Sequence, residues 1–169
     1  MKSTREMFQT LVGGLVLFLV FTVASHAAAS DLTVDGFQNA GDIGNFNERA
    51  ARMGPLPAGE YRISIASGAI ALCAGETCNI TAISFRVGED GPIFDLGVLS
   101  PLGPDQRYWD FVERTPEEAF QAYLDSGNAF QNITLSTPAD LLFYLIDDLS
   151  EDFRDDNRGS LVVRAVGCK

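Results

Sequence analysis

Residues 141–166, LLFYLIDDLSEDFRDDNRGSLVVRAV, contain the features that decide the fold. Two apolar runs of strand character, 141–146 and 161–166, enclose a polar stretch, and seven acidic residues lie from Asp140 to Asp156 inclusive. We interpret the two runs as neighbouring antiparallel strands joined by an acidic loop. Carboxylates at this density repel one another unless they share a cation, and calcium takes about six to eight oxygen ligands. The stretch therefore predicts a β domain with a calcium site at one end.

The acidic loop carries several oxygen-bearing side chains that are candidate metal or ligand contacts. Asn157 and Gly159 favour a turn with a left-handed residue, which would direct side chains inward onto an ion. The loop does not match the EF-hand pattern, so a calcium site here would have another geometry. The alternative is a solvated acidic surface that binds no ion. The candidates are Asp147, Asp148, Asp152, Asp155, Asp156 and Asn157.

Residues 1–29 are predicted to form a secretory signal peptide. Lys2 and Arg5 precede an apolar run over 11–23, and small residues then offer cleavage sites. The run is shorter than the about 20 apolar residues needed to span a bilayer, so we expect its removal rather than its retention as an anchor. A single domain over 30–169 follows, and the protein is expected to be periplasmic or secreted.

Charge and histidine content argue against several classes of function. The chain has 12 basic and 23 acidic residues, a net charge of −11. Loss of Lys2, Arg5 and Glu6 leaves 10 and 22, a net charge of −12. Such a surface would repel nucleic acid and anionic membranes, so we expect no nucleic-acid binding and no membrane insertion of the mature chain. The only histidine, His26, lies in the signal segment, which argues against Ser-His or Cys-His catalysis and histidine-ligated zinc.

Three cysteines fit an oxidising compartment, although their number is odd. A disulfide between Cys73 and Cys78 would close a short loop and leave Cys168 free, or paired with a second chain in a homo-oligomer. Alternatively, one cysteine of the first pair bonds to Cys168 and the other is buried. The sequence leaves both arrangements open.

Alternation of polar and apolar residues predicts strands along most of the mature chain. Tyr61, Ile63 and Ile65 alternate with polar residues, which is typical of a half-buried strand. The Gly- and Asn-rich residues 36–47 show no period and are predicted to be a surface loop. Further strands are predicted at 32–34, 69–73, 82–87, 93–99 and 130–135, in addition to 141–146 and 161–166.

One short helix is predicted over 116–126. Thr115 is a suitable N-cap and Pro116 suits the first helical position, while Gly127 can end the helix. Its apolar face is expected to pack against a sheet, and consists of Phe120, Tyr123 and Leu124. We therefore predict an all-β fold, a jelly-roll β-sandwich of about eight antiparallel strands with one short inserted helix.

Three segments together resemble the PA-IL-type soluble galactose-binding lectins of bacteria, a family of small calcium-dependent jelly-roll sandwiches. They are PAGEYRISIASG at 57–68, CAGETCNITAISFRVG at 73–88 and LIDDLSEDFRDDNRGSLVVRAV at 145–166. The resemblance implies calcium ligands at Asp148, Asp152, Asp156 and Asn157, and ligand contacts at Asp147, Asp148 and Asn157. The loop has one extra residue relative to the family. The long loop that supplies galactose contacts in the family has no counterpart here, because the chain passes directly from Gly68 to Cys73.

The function expected from these features is that of an exported calcium-binding protein, with lectin-like recognition of a carbohydrate or another cell-surface ligand. The alternative is a structural subunit of an extracellular or envelope assembly, joined through Cys168 or an exposed edge strand. No residue pattern distinguishes a catalytic pair of carboxylates, so we expect no enzymatic activity and assign no catalytic residue.

Overall fold

The alternating segments form strands, and the described strands assemble into two five-stranded sheets and one sheet of two short strands. The computed structural model describes residues 29–41, 43–72, 78–97, 99–100, 108–109, 114–146 and 157–168. The strands are β1 Ala29–Asp35, β2 Ala40–Gly41, β3 Ala51–Leu56, β4 Gly59–Ala71, β5 Asn79–Ile80, β6 Ile83–Val87, β7 Ile93–Leu96, β8 Leu99–Ser100, β9 Tyr108–Trp109, β10 Phe130–Leu135, β11 Ala139–Ile146 and β12 Arg158–Cys168. A 3-10 helix spans Ile43–Asn45, and two α-helices span Phe46–Arg49 (α1) and Pro116–Asp125 (α2).

The first sheet has the order β1–β12–β4–β10, with β5 paired to the far end of β4, and its pairs are all antiparallel. β4 is one continuous strand of 13 residues, whereas the sequence predicted two strands with a break near Gly68. Gly68 has a φ of +98°, and a Cβ there would lie 2.2 Å from the carbonyl oxygen of Ser160 in β12. Glycine thus lets β4 stay paired to β12 through an irregularity in register, because no side chain obstructs the close approach.

The second sheet has the order β2–β11–β6–β7, and β3 also pairs with β11. β2 runs parallel to β11, whereas β3 and β6 run antiparallel to it. Alternate residues of β11 contribute to the core between the sheets, namely Leu141, Phe143 and Leu145. The intervening ones form a second apolar cluster with a residue of α1, which consists of Phe46, Leu142, Tyr144 and Ile146. β11 is therefore buried on both faces.

The prediction that the apolar runs 141–146 and 161–166 are adjacent strands of one sheet is wrong. Both runs are strands, but β11 is a member of the second sheet and β12 of the first. Each already has strands on both sides, β12 between β1 and β4, and β11 between β6 and β3. Because β11 and β12 each pair with other strands and belong to different sheets, residues 147–156 connect the two sheets and do not join the strands of a hairpin.

Helix α2 begins as the sequence predicts. Thr115 and Glu118 form a capping box, with Pro116 at the first helical position. Leu124 does not belong to the packed face, since 49% of its surface is exposed. The other two residues of the predicted face do pack: Tyr123 is 1% exposed and Phe120 is half-buried against the core. Ala119, which is 2% exposed, completes the buried face.

The hydroxyl of Tyr123 connects α2 to the first sheet. It accepts a hydrogen bond of 2.7 Å from the backbone N–H of Ile65 and donates one to the carbonyl of Ala129. Ile65 lies just beyond Ser64, where β10 stops pairing with β4, and before Ile70, where β5 starts to pair with it. A helix side chain thus satisfies a buried donor of β4 between two strand partners.

The prediction of an all-β sandwich is confirmed. The described residues contain twelve strands rather than about eight, and four of them, β2, β5, β8 and β9, have only two residues. β3 was not predicted, whereas the strands predicted around Tyr61 and at 69–73 are both parts of β4. One pair, β2 with β11, is parallel. Segment 36–47, predicted as a surface loop, contains β2, the 3-10 helix and the start of α1, where Phe46 is 1% exposed. No helix in the described ranges is long and apolar enough to cross a membrane. The predicted signal peptide lies outside these ranges except for Ala29, the first residue of β1.

Candidate ligand-binding site

Most of the predicted calcium ligands fall outside the described residues. Asp147, Asp148, Asp152 and Asp156 all lie in 147–156, so their assignment as metal or ligand contacts remains a prediction. No group of three or more histidine, cysteine, aspartate or glutamate side chains within the described part of the chain is placed to hold a metal ion.

Asn157 is the one predicted site residue that the structure describes, and it is 0% exposed. It immediately precedes β12, and its backbone carbonyl accepts a hydrogen bond of 2.8 Å from Nη1 of Arg158. Asn157 is thus fixed where the acidic segment rejoins the sandwich, which is the end of the domain at which the sequence predicts ligand binding.

A groove of about 400 Å³ lies next to Asn157. It forms where the end of β1 meets the start of β12, because Asp35 pairs with Ser160 in the antiparallel register. Its volume falls within the range of about 300–1,000 Å³ that is usual for small-molecule sites. The groove is lined by Asp35, Phe37, Gln38, Asn157, Arg158 and Gly159.

The wall contributed by residues 35–39 is a turn closed by its own side chains. Oδ1 of Asp35 accepts hydrogen bonds from the backbone N–H groups of Phe37 at 3.0 Å and Gln38 at 2.8 Å. Oδ1 of Asn39 accepts one of 2.9 Å from the backbone N–H of Asp35, and the Asn39 N–H donates to the Asp35 carbonyl at 3.0 Å. Aspartate and asparagine stabilise turns in this way because their short side chains replace backbone acceptors.

Both ends of this turn are also attached to the sheets. The N–H of Gly36 donates to the carbonyl of Gly159 in β12 at 3.0 Å, and the N–H of Leu145 in β11 donates to the carbonyl of Asn39 at 2.8 Å. The amide of Asn39 donates to the carbonyl of Arg49 at 2.7 Å. The turn therefore holds its conformation through contacts with the first sheet, the second sheet and α1.

Two glycines allow this close assembly. A Cβ at Gly36 would lie 2.7 Å from Cγ2 of Ile70, and one at Gly159 would lie 2.6 Å from the carbonyl oxygen of Ala69. Gly159 has a φ of +91°, the left-handed conformation that the sequence predicted for this region. β4, β12 and the turn can approach one another only because these two positions lack side chains.

The groove offers binding groups but no catalytic pair among the described residues. Its lining contains one carboxylate, Asp35, so the two opposed carboxylates of glycoside hydrolysis are not present in this part of the structure. The amide of Gln38 and the guanidinium of Arg158 are hydrogen-bonding groups of the lining, and Phe37 is an aromatic residue that is 43% exposed. This combination suits recognition of a polar molecule that has one apolar face.

The sequence did not predict Asp35, Phe37, Gln38 and Arg158 as site residues. Asp-Gly at 35–36, followed by Asn39, is a turn signal that sequence analysis can find. The same signal does not show that the turn lies beside Asn157. That proximity depends on the pairing of β1 with β12, which are more than 120 residues apart in the chain.

The cysteines are only partly described. Cys73 lies outside the described residues, so its disulfide with Cys78 remains a prediction. Cys168 is an exposed free thiol at the end of β12, which contradicts the alternative in which it bonds to Cys73 or Cys78. Trp109 belongs to β9, a two-residue strand paired with β8.

Comparison with protein-family models, with curated proteins and with solved structures finds no match to this chain.

Proposed function

We propose that this protein is an exported, calcium-binding β-sandwich that recognises a carbohydrate or similar cell-surface ligand, without enzymatic activity. The observation that carries the proposal is the groove beside Asn157, since it places a ligand-sized space at the end of the sandwich where the acidic segment returns. Residues 145–166 resemble the corresponding segment of calcium-dependent lectins, and this resemblance favours a calcium site at the same end of the domain.

Calcium would be held by oxygen atoms of the acidic segment, with Asp148, Asp152, Asp156 and Asn157 as ligands. Calcium favours such carboxylate and amide oxygens. Ligand hydroxyls would replace water molecules on the ion, so the calcium would bind part of the ligand directly. Asp147, Asp148 and Asn157 would contribute further contacts to the ligand.

Thermal unfolding tests the calcium part of this proposal. A ligand that binds only the native state stabilises it by about 2.7 kcal/mol at 100 times its Kd. The melting temperature of the purified protein is therefore expected to rise by several degrees between EDTA and millimolar calcium. Asp148→Asn should remove most of this rise. Asp90→Asn is the matched control, because Asp90 is an exposed carboxylate in the β6–β7 turn. Equal melting temperatures of the wild type in EDTA and in calcium would exclude the metal site.

A structural subunit is the second candidate, and the exposed free thiol of Cys168 favours it. A thiol in this position is able to form a disulfide between two copies of the chain in an oxidising compartment. Non-reducing electrophoresis of the wild type would then show a dimer that Cys168→Ser lacks. A monomer in both proteins, confirmed by size-exclusion chromatography, would exclude assembly through Cys168.

A further inference from the structure

We infer that Phe37 is the stacking platform of a subsite for one neutral pyranose ring. The ring would bind in the groove whose lining contains one carboxylate and one guanidinium, and which is formed by Asp35, Phe37, Gln38, Asn157, Arg158 and Gly159. This inference rests on the proposed function, and it names the sugar class and the residues that the sequence did not reveal. Three features carry it: the exposure of the aromatic ring, the rigidity of the turn that holds the ring, and the charge of the site.

The first feature is an aromatic side chain at the surface of the groove. Phe37 is 43% exposed and lines the groove, although phenylalanine is normally buried in a domain of this size. A pyranose ring has one face formed mainly by C–H groups, and this face packs against an aromatic ring. Its hydroxyl groups then point outward in the ring plane, where amide and carboxylate side chains bind them.

The second feature is that the turn presents Phe37 in a fixed backbone conformation. The N–H of Phe37 donates to Oδ1 of Asp35, and the turn is attached through Gly36 to β12 and through Asn39 to β11. Binding on a preorganised surface loses less conformational entropy than binding on a mobile loop. Because the ring lies on a turn that both sheets hold in place, its exposure is a property of the folded domain.

The third feature is the balance of charge around the groove. The chain has a net charge of −11, and Asp35 places a carboxylate in the groove wall. The guanidinium of Arg158 donates to the carbonyl of Asn157 at 2.8 Å, so part of its hydrogen-bonding capacity serves the backbone. The overall field opposes anionic sugars and tolerates neutral ones. We therefore assign the groove to a neutral pyranose and not to a uronic or sialic acid.

The size of the groove fits a short ligand. A volume of about 400 Å³ is near the lower end of the range for small-molecule sites, which suits a terminal sugar more than a long polysaccharide chain.

The chain provides a matched control for the test. Phe130 is exposed to nearly the same extent, 48%, but it lies in β10, beneath the guanidinium of Arg62, whose Cζ is 4.4 Å from its ring centroid. Phe130 does not line the groove. Phe37→Ala and Phe130→Ala therefore remove the same side chain from two surfaces of one domain.

The experiment is binding of the purified protein to immobilised neutral glycosides of galactose, glucose, mannose, fucose and N-acetylglucosamine, with sialic and glucuronic acid glycosides in parallel, all in millimolar calcium. Wild-type protein should bind at least one neutral glycoside, Phe37→Ala should bind it about tenfold more weakly or worse, and Phe130→Ala should match the wild type. Phe37→Trp should retain binding, because it keeps an aromatic face.

Each other outcome contradicts a defined part of the argument. Neutral-sugar binding that Phe37→Ala leaves unchanged overturns the subsite while the proposed function stands. Binding confined to the acidic sugars overturns the assignment to neutral ligands. Absence of binding to every glycoside overturns both the subsite and the carbohydrate part of the proposed function. Circular dichroism and the melting temperature of each variant would show that any loss does not come from unfolding.

Discussion

β11 and β12 each contain a mostly apolar run of six residues and flank the same acidic segment, yet they are buried differently. In β11 the residues 141–146 are all buried, whereas β12 is buried at Leu161, Val163 and Ala165 and half-buried or exposed between them. The outer face of β11 lies under α1, while the outer face of β12 carries Arg164 and other side chains at the surface. The comparison shows that an apolar run of six residues specifies a strand but not how many of its faces are covered.

The largest predicted effect is on stability, when an outward-facing side chain is truncated in β11 and, for comparison, in β12. Leu142→Ala should lower the free energy of unfolding by about 2–5 kcal/mol, because Leu142 is 0% exposed in the outer cluster with Phe46. Val162→Ala should cost less than about 1 kcal/mol, because Val162 is only half-buried on the outer face of β12. Urea denaturation followed by circular dichroism measures both. Equal losses would show that the two outer faces are covered alike.

The next effect concerns the first sheet, which depends on a side chain from α2. Tyr123→Phe should cost about 1–3 kcal/mol, because it leaves the buried N–H of Ile65 without its acceptor. Tyr61→Phe is the control, since the Tyr61 hydroxyl only donates to the carbonyl of Pro57, at 2.9 Å, and should cost about 1 kcal/mol or less. Urea denaturation again gives the values. A smaller loss for Tyr123→Phe than for the control would contradict the role of this hydroxyl in β4.

Tyr123 should also make the stability of the domain depend on pH in the alkaline range. Burial raises the pKa of Tyr123 above its ordinary value, and the hydrogen bond from Ile65 opposes this only partly. Since the pKa is higher in the folded state than in the unfolded state, the stabilisation is complete below the unfolded value of about 10 and is lost as the pH rises through the folded value. The difference in stability between wild type and Tyr123→Phe should therefore shrink above about pH 10. A constant difference across that range would contradict this prediction.

The smallest effect is expected on the exposed face of the first sheet. Two hydrogen bonds from Arg164, of 2.7 and 2.6 Å, lower the pKa of Asp31. Their stabilisation is present above the ordinary pKa of the aspartate and is lost as the pH falls through the lower folded value. Arg164→Gln should return the pKa of Asp31 toward its ordinary value in an NMR titration. It should change the melting temperature only slightly, because water surrounds both groups. A loss of stability as large as that of Leu142→Ala would contradict the exposure of the outer face of β12 to solvent.

Much of the fold can be predicted from local patterns. Thr115, Pro116 and Glu118 specify the start of α2, because capping depends on residues close in sequence. The alternation of Tyr61, Ile63 and Ile65 likewise specifies a strand with one buried face. The site is less predictable. The calcium assignment depends on residues 147–156, while the groove depends on the turn at 35–39, which the sequence showed only as a loop.

The sequence by itself determined most of the longer strands, the helix start, the acid-rich segment and the left-handed glycine at 159, because each follows from the conformational preferences of neighbouring residues. Only the tertiary structure decided that β11 and β12 lie in different sheets, and that Phe37 lines a groove with Asn157. These facts depend on which strands pair across more than 100 residues of chain and on which faces other elements cover. Pairing of this kind is decided by the burial of the whole core, which no single segment contains.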